Sequence, residues 1–136
     1  MIKPLTQSDV SFVVTLEKEY NLSSCVDLSN SKTWLISNEV EYIGFITWVE
    51  NDDSADLLNI AISPKYSHQG YGSSLLTSWL LSLKSIGIKH CFLEVHTSNT
   101  IAVNFYKKHG FIVNRVRKGY YQTTQEDAFE MRVDYE

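Results

Sequence analysis

The residues that staple, bend or anchor a chain are scarce in this 136-residue sequence: two cysteines, two prolines and six glycines. Cys25 and Cys91 match no zinc-ligand spacing and define no bridge, so they read as two reduced thiols of a cytoplasmic protein. The four histidines are scattered without the paired spacing of a metal site, so no metal is expected. No apolar run approaches the roughly 18 residues of a membrane span. The opening MIKPLTQSDVSF is broken by Gln7, Ser8 and Asp9, unlike the apolar core of a secretory leader. Basic charge is short as well. Twelve Lys and Arg against sixteen Asp and Glu leave a net charge of −4, which argues against a nucleic-acid surface and fits a cationic partner better.

What is present is ordinary globular material, 43% hydrophobic and 21% charged. The length suits one domain over residues 1–136, large enough to fold without disulfide or metal. Residues 8–20 can form a helix capped by Ser8, with Phe12, Val13 and Leu16 on one face. Residues 21–31 are polar and turn-rich. KTWLIS and EYIGFITWVE read as two strands joined at Asn38 and Glu39, and ADLLNIAIS as a central strand ended by Pro64. Leu75, Leu76, Trp79, Leu80 and Leu83 recur at helical spacing up to a stop at Gly87. IKHCFLEV is a strand, and NTIAVNFYKKHG a helix with Ala102, Phe105, Tyr106 and His109 on one stripe. FIVNRV and AFEMRVDY close the chain as strands; in the last, Phe129, Met131 and Val133 alternate with Glu130, Arg132 and Asp134. The piece from 55 to 95 is expected to be a parallel strand–helix–strand unit. The fold class is therefore α/β, a mixed and mostly antiparallel sheet with helices on both faces.

YSHQGYGSSLL, residues 66–76, places Gly70 and Gly72 where a strand turns into a helix. Such a turn is either a tight bend alone or an anion site. The first N–H groups of a helix have no partner inside it, and its dipole adds partial positive charge. A diphosphate can take several of them at once, and glycine removes the Cβ atoms that would hold it away. No Lys-Ser or Lys-Thr follows, so this is not a Walker loop; Leu75 fills the third position of a dinucleotide fingerprint.

The segment LLNIAISPKYSHQGYGSSLL resembles the acetyl-coenzyme A binding motif of the GNAT (GCN5-related N-acetyltransferase) family, a strand running into a Q/R-x-x-G-x-G/A turn. Ser67, His68, Gln69, Gly70, Tyr71 and Gly72 match that turn, with Ser67 where Gln or Arg is usual. LEVHTSNTIAVNFYKKHGF is similar to the family's L-E-V-R-x-x-N block, with His96 in place of Arg. RKGYYQTTQEDAFEMRV resembles the C-terminal stretch of the RimI-type branch, whose members acetylate the N-terminal alanine of a ribosomal protein. The Phe-Pro-Trp segment of that branch is absent: Tyr20 leads straight into NLSSCVDLSNS.

This resemblance implies a fold in which two neighbouring parallel strands splay, and acetyl-CoA as co-substrate. It implies that Ile60, Ala61 and Ile62 offer backbone groups to the pantetheine arm. His68, Gln69, Gly70, Tyr71, Gly72 and Ser73 would hold the diphosphate, with Asn99 both capping its helix and touching the cofactor. Glu94 is the implied base. It lies near the end of a parallel strand, on a face that alternation shares with Ile88, His90 and Phe92. The other reading of Glu94 is an acid that meets solvent or a basic partner. Tyr106 is the implied acid, or a core aromatic. Tyr120 and Tyr121 would wall an acceptor pocket or pack a turn, and Asn59 and His96 could touch substrate.

The acceptor must present a neutral amine. At pH 7 roughly a tenth of an α-amine is neutral, whereas a lysine costs about 3 kcal/mol more to deprotonate. A site with one modest base thus suits a protein N-terminus, ribosomal or other. A polyamine, an aminoglycoside, a lysine, or a non-catalytic acyl-CoA-binding module are the rivals. A monomer or homodimer fits equally.

Overall fold

The computed structural model describes residues 1–26, 30–121 and 126–135, Tyr121 by its backbone alone. Seven strands form one sheet: β1 (Ile2–Pro4), β2 (Ser31–Ser37), β3 (Tyr42–Asn51), β4 (Ser54–Ile62), β5 (His90–His96), β6 (Ile112–Tyr121) and β7 (Glu126–Asp134). Their order is β1-β2-β3-β4-β5-β7-β6. Every neighbouring pair is antiparallel except β4 and β5. Helix α1 (Val10–Glu19) covers one face; α2 (Tyr71–Ser85) and α3 (Thr100–Lys108) pack on the other. This is the mixed sheet flanked by helices that the periodicities imply.

The apolar stripes explain the layers. Leu75, Leu76, Trp79 and Leu83 of α2 are buried against Leu57, Leu93 and Met131 of the sheet. Trp48 stands between Trp34 and Trp79, with ring centroids at 5.2 and 5.9 Å, so all three tryptophans form one edge-to-face row. On the opposite face Val13 and Leu16 of α1 meet Leu35, Phe45 and Ala61.

Several boundaries differ from expectation, each for a local reason. Ser8 does not cap the first helix; the Asp9 carboxylate accepts the Thr6 N–H (3.0 Å) and hydroxyl (2.7 Å), and α1 proper begins at Val10. Strand β1, three residues long, is too short to show alternation and was not foreseen. Ile88 precedes β5 and turns into the core, so it does not share a face with Glu94. Strand β6 runs past residue 116 to Tyr121: Gly119 adopts φ +61° and sends its N–H to Asp127 (2.9 Å), so pairing resumes at Tyr121 with Glu126. Tyr120 therefore belongs to a strand, not a turn.

Two features of β4 create the site. First, it pairs with β5 only at Ser54–His90, Ala55–Cys91 and Asp56–Phe92, after which the strands part. Second, Thr47 opposes Asn59 while Trp48 opposes Leu57, which leaves Leu58 as a bulge. The extra residue exchanges the faces. Ala55 and Leu57 point to α2, but beyond the bulge Ile60 and Ile62 do, and Asn59 and Ala61 turn to α1.

Candidate functional site

A cleft of about 630 Å³ opens where β4 and β5 separate. Ile60, Ala61 and Ile62 form one wall, Asn99 and Tyr106 from the β5–α3 side the other, and the start of α2 its floor. Ser63 donates to Ile43 of β3 (2.8 Å), so by antiparallel alternation Ala61 also turns its backbone to β3. Ile60 and Ile62 then present their N–H and C=O groups to the open side. One of these is already engaged: the Tyr20 hydroxyl donates to Ile62 O at 2.6 Å.

The glycine turn closes one end of the cleft. Gly70 sits at the α2 N-cap with φ +87°, a left-handed conformation that favours glycine, and it supplies no side-chain cap. The first amide to bond back is that of Ser74, to Gly70 O at 3.0 Å. The amides of Tyr71, Gly72 and Ser73 ahead of it have no acceptor within the helix. A Cβ at Gly72 would lie 3.6 Å from Phe105 and 3.7 Å from Ile62, ordinary contacts. The protein itself leaves room for that atom; its absence keeps the floor of the cleft bare, as a phosphate group requires. His68 lines the cleft and has φ +62°, uncommon outside glycine. Gln69 does not line it; its amide reaches toward Lys65 O.

Asn99 accepts the Ala102 N–H at 3.2 Å, so it caps α3 while lining the cleft. Ser73 meets His109 Nε2 at 3.0 Å. Burial, then the nearby Lys108, push that imidazole below its usual range, which favours a neutral ring. The Tyr106 ring packs edge-on against Phe105 and Phe111, with centroids at 5.4 and 5.8 Å.

Glu94 does not line the cleft. It projects from β5 on the face away from α2 and α3, alternating with buried Leu93 and Val95. Its basic partner is Arg117, whose Nη1 lies 3.0 Å from Oε1. Arg117 also covers the Tyr120 ring, 4.6 Å from its centroid. Burial, reinforced by Glu94 and opposed by Arg117, pushes the Tyr120 phenol up, so it stays protonated. Asn59 is buried and donates to Glu17 (3.0 Å) and Ser23 O (2.8 Å); it is engaged within the protein. His96 pairs with Glu126 at 3.0 Å. The expectation for the Tyr121 side chain lies outside the described residues. No cluster of metal-ligating side chains occurs among the described residues.

Residues 4–111 match the Acetyltransferase (GNAT) family. The chain belongs to that family. Among curated GNAT relatives, the [ribosomal protein bS18]-alanine N-acetyltransferase of Haemophilus ducreyi is 31% identical over 134 residues, covering 89% of this chain and 88% of that protein. The Escherichia coli protein of the same name is 41% identical over 81 residues, 58% of this chain; the match spans only about half of that relative, 55%. The crystal structure of the ribosomal-protein-S18-alanine N-acetyltransferase from Escherichia coli superposes with a TM-score of 0.84 at 26% identity, covering 98% of this chain and 92% of that one.

Sequence reasoning missed Tyr20, Ile101, Ala102, Phe105 and Lys108, which also line the cleft. Ala102 and Phe105 lie on the stripe with Tyr106, so helical periodicity held that signal. Tyr20 carries none, because it arrives from the far end of α1. Arg117 was equally silent, since it meets Glu94 only through the register of three strands.

Proposed function

We propose that this chain is an acetyl-CoA-dependent N-acetyltransferase whose acceptor is a primary amine, the α-amine of a protein N-terminus. One observation carries the reading: an uncapped helix N-terminus with two glycines floors a cleft that runs along the stretch of β4 parted from β5, up to Tyr106. The amides of Tyr71, Gly72 and Ser73 would hold the diphosphate, and the open backbone groups of Ile60 and Ile62 the pantetheine arm. Acetyl-CoA supplies the acetyl group as a thioester, which the amine takes as the thiol leaves. Glu94 takes the proton that the amine must lose, directly or through a water. Tyr106 holds a proton for the departing sulfur. Residues 57–62, parted from β5, leave room for the thioester between the two. The α-amine is favoured over lysine because more of it is neutral at pH 7. It is favoured over a polyamine because the relatives act on a ribosomal-protein alanine.

The test offers acetyl-CoA and short peptides with free or blocked N-termini, alongside spermidine, to the purified protein, with products read by mass spectrometry. Modification of free N-termini is expected. Glu94→Gln should keep coenzyme A binding and lose about 10²-fold or more in kcat. Acetylation confined to blocked lysine peptides or to spermidine overturns the acceptor assignment. Equal turnover by Glu94→Gln removes that residue from its role, and coenzyme A binding without any acetylation favours a sensing module.

A further inference from the structure

The carboxylates on the open face of β5, β7 and β6 are not equivalent. Glu94 and Glu130 are cross-strand partners on this face. Both oxygens of Glu130 are occupied: Asn114 donates to Oε1 (2.7 Å) and Arg115 to Oε2 (2.8 Å). Burial alone would push Glu130 up, but Asn114, Arg115 and the charge of Arg117 outweigh it and hold the carboxyl below its usual range. Glu130 is therefore a saturated anion. Glu94 is bound on one side only. Oε1 takes Arg117, and among the described residues no group bonds Oε2. The Glu94 side chain is 29% exposed and that of Arg117 39%, so the pair is reachable from solvent on this face of the sheet.

The route of Arg117 to Glu94 is built into the sheet. Arg117 pairs with Ala128, and Ala128 with His96, so the arginine must cross the full width of β7. It crosses beside the small, completely buried Ala128 and comes near enough to Glu130 for its charge to act there. Tyr120, three residues along β6, supports the guanidinium from one face. Nη1 alone makes the contact, and a guanidinium backed by a ring loses little freedom on binding a carboxylate, so Oε1 is held in place and the planarity of the carboxylate restricts where Oε2 can lie.

We infer that Arg117 is a positioning residue for Glu94: by pinning Oε1 against Tyr120 it turns Oε2 toward the acceptor amine. The inference rests on the proposed role of Glu94 as base. Misplacing such a group by about 1 Å costs on the order of 10²-fold in rate, so loss of the clamp should be read in turnover and not in cofactor affinity.

The experiment is a kinetic cycle on the full chain with a peptide that the wild-type protein acetylates: Arg117→Ala, Glu94→Gln and the double variant. Arg117→Ala should lower kcat about tenfold or more with the KM for acetyl-CoA unchanged. The double variant should be no slower than Glu94→Gln alone, because the arginine acts through the glutamate. Guanidinium ion, added below unfolding concentrations, should restore part of the Arg117→Ala rate and leave Glu94→Gln unaffected. A purely structural arginine would show no such rescue. If Arg117→Ala does not fold, Arg117→Lys, which keeps charge without the fork, takes its place in the cycle. Turnover of the arginine variant within twofold of wild type overturns the inference, and so does a double variant slowed by the product of the two single effects. In either case a disabled Glu94→Gln leaves the proposed base in place. A fully active Glu94→Gln instead shows that the base itself was misassigned.

Discussion

Nothing inside the protein requires position 72 to lack a side chain. Its backbone is that of a helical first turn, and a methyl group there would find Phe105 and Ile62 at 3.6 and 3.7 Å, a normal packing distance. Alanine is also the better helix former by about 1 kcal/mol. Gly72→Ala should therefore melt at the wild-type temperature or slightly above it. The same methyl group would fill the space a phosphate needs, so coenzyme A affinity should fall about tenfold or more, ~1.4 kcal/mol. Thermal melting and titration calorimetry on the one variant separate the two effects, and undiminished affinity would remove the diphosphate from this turn. Glycines of this kind are legible in sequence because their demand is local: a strand, a turn and a helix start lie within a dozen residues. Arg117 and Glu94 are 23 residues apart and meet across an intervening strand, so neither spacing nor periodicity points from one to the other.

At the scale of elements, the bulge at Leu58 decides which side chains face which layer. Unbroken alternation along β4 would put Asn59 on the same face as Leu57, toward α2. The inserted residue turns it to α1 instead, where Glu17 is buried with 2% of its surface exposed. Glu17 Oε2 accepts the Cys25 N–H at 2.9 Å and the Asn59 amide at 3.0 Å, while Asn59 also donates to Ser23 O. Helix α1, strand β4 and the chain from Ser23 to Cys25 are thus tied at one point. A bulge leaves no composition signature in so apolar a strand, and Asn59 therefore looked like a substrate contact. Glu17→Ala should leave the Cys25 amide and one Asn59 N–H buried without partners, at about 1–3 kcal/mol each. Glu17→Gln, which keeps an acceptor oxygen, should cost less. Urea unfolding measures both, and a Glu17→Ala midpoint equal to that of wild type would mean that the network contributes nothing to holding these elements together.

At the scale of the molecule, the sheet consists of two antiparallel halves, β1 to β4 and β5, β7, β6, joined by three parallel residue pairs. The buried cluster under α2 and α3 runs beneath both halves, with Trp48 and Leu57 from one and Leu93 and Met131 from the other. The halves are thus fused on one face and divided along the cleft. Their division was legible only through resemblance to a family, because an apolar strand does not reveal where its partner leaves it. A ligand lying along the cleft touches both sides: Ile60, Ile62 and the start of α2 on one, Asn99 and Tyr106 on the other. Coenzyme A at a hundredfold excess over its dissociation constant should stabilise the folded chain by about 2.7 kcal/mol. For a domain of this size that is a rise of about 9 °C in melting temperature. Hydrogen exchange should place the gain at the amides of Ile60, Ile62 and Tyr71 to Ser73, with little change in β1 and β2. A comparable rise in melting temperature with protection confined to the far side of the sheet would locate the ligand elsewhere and separate the cleft from acetyl transfer.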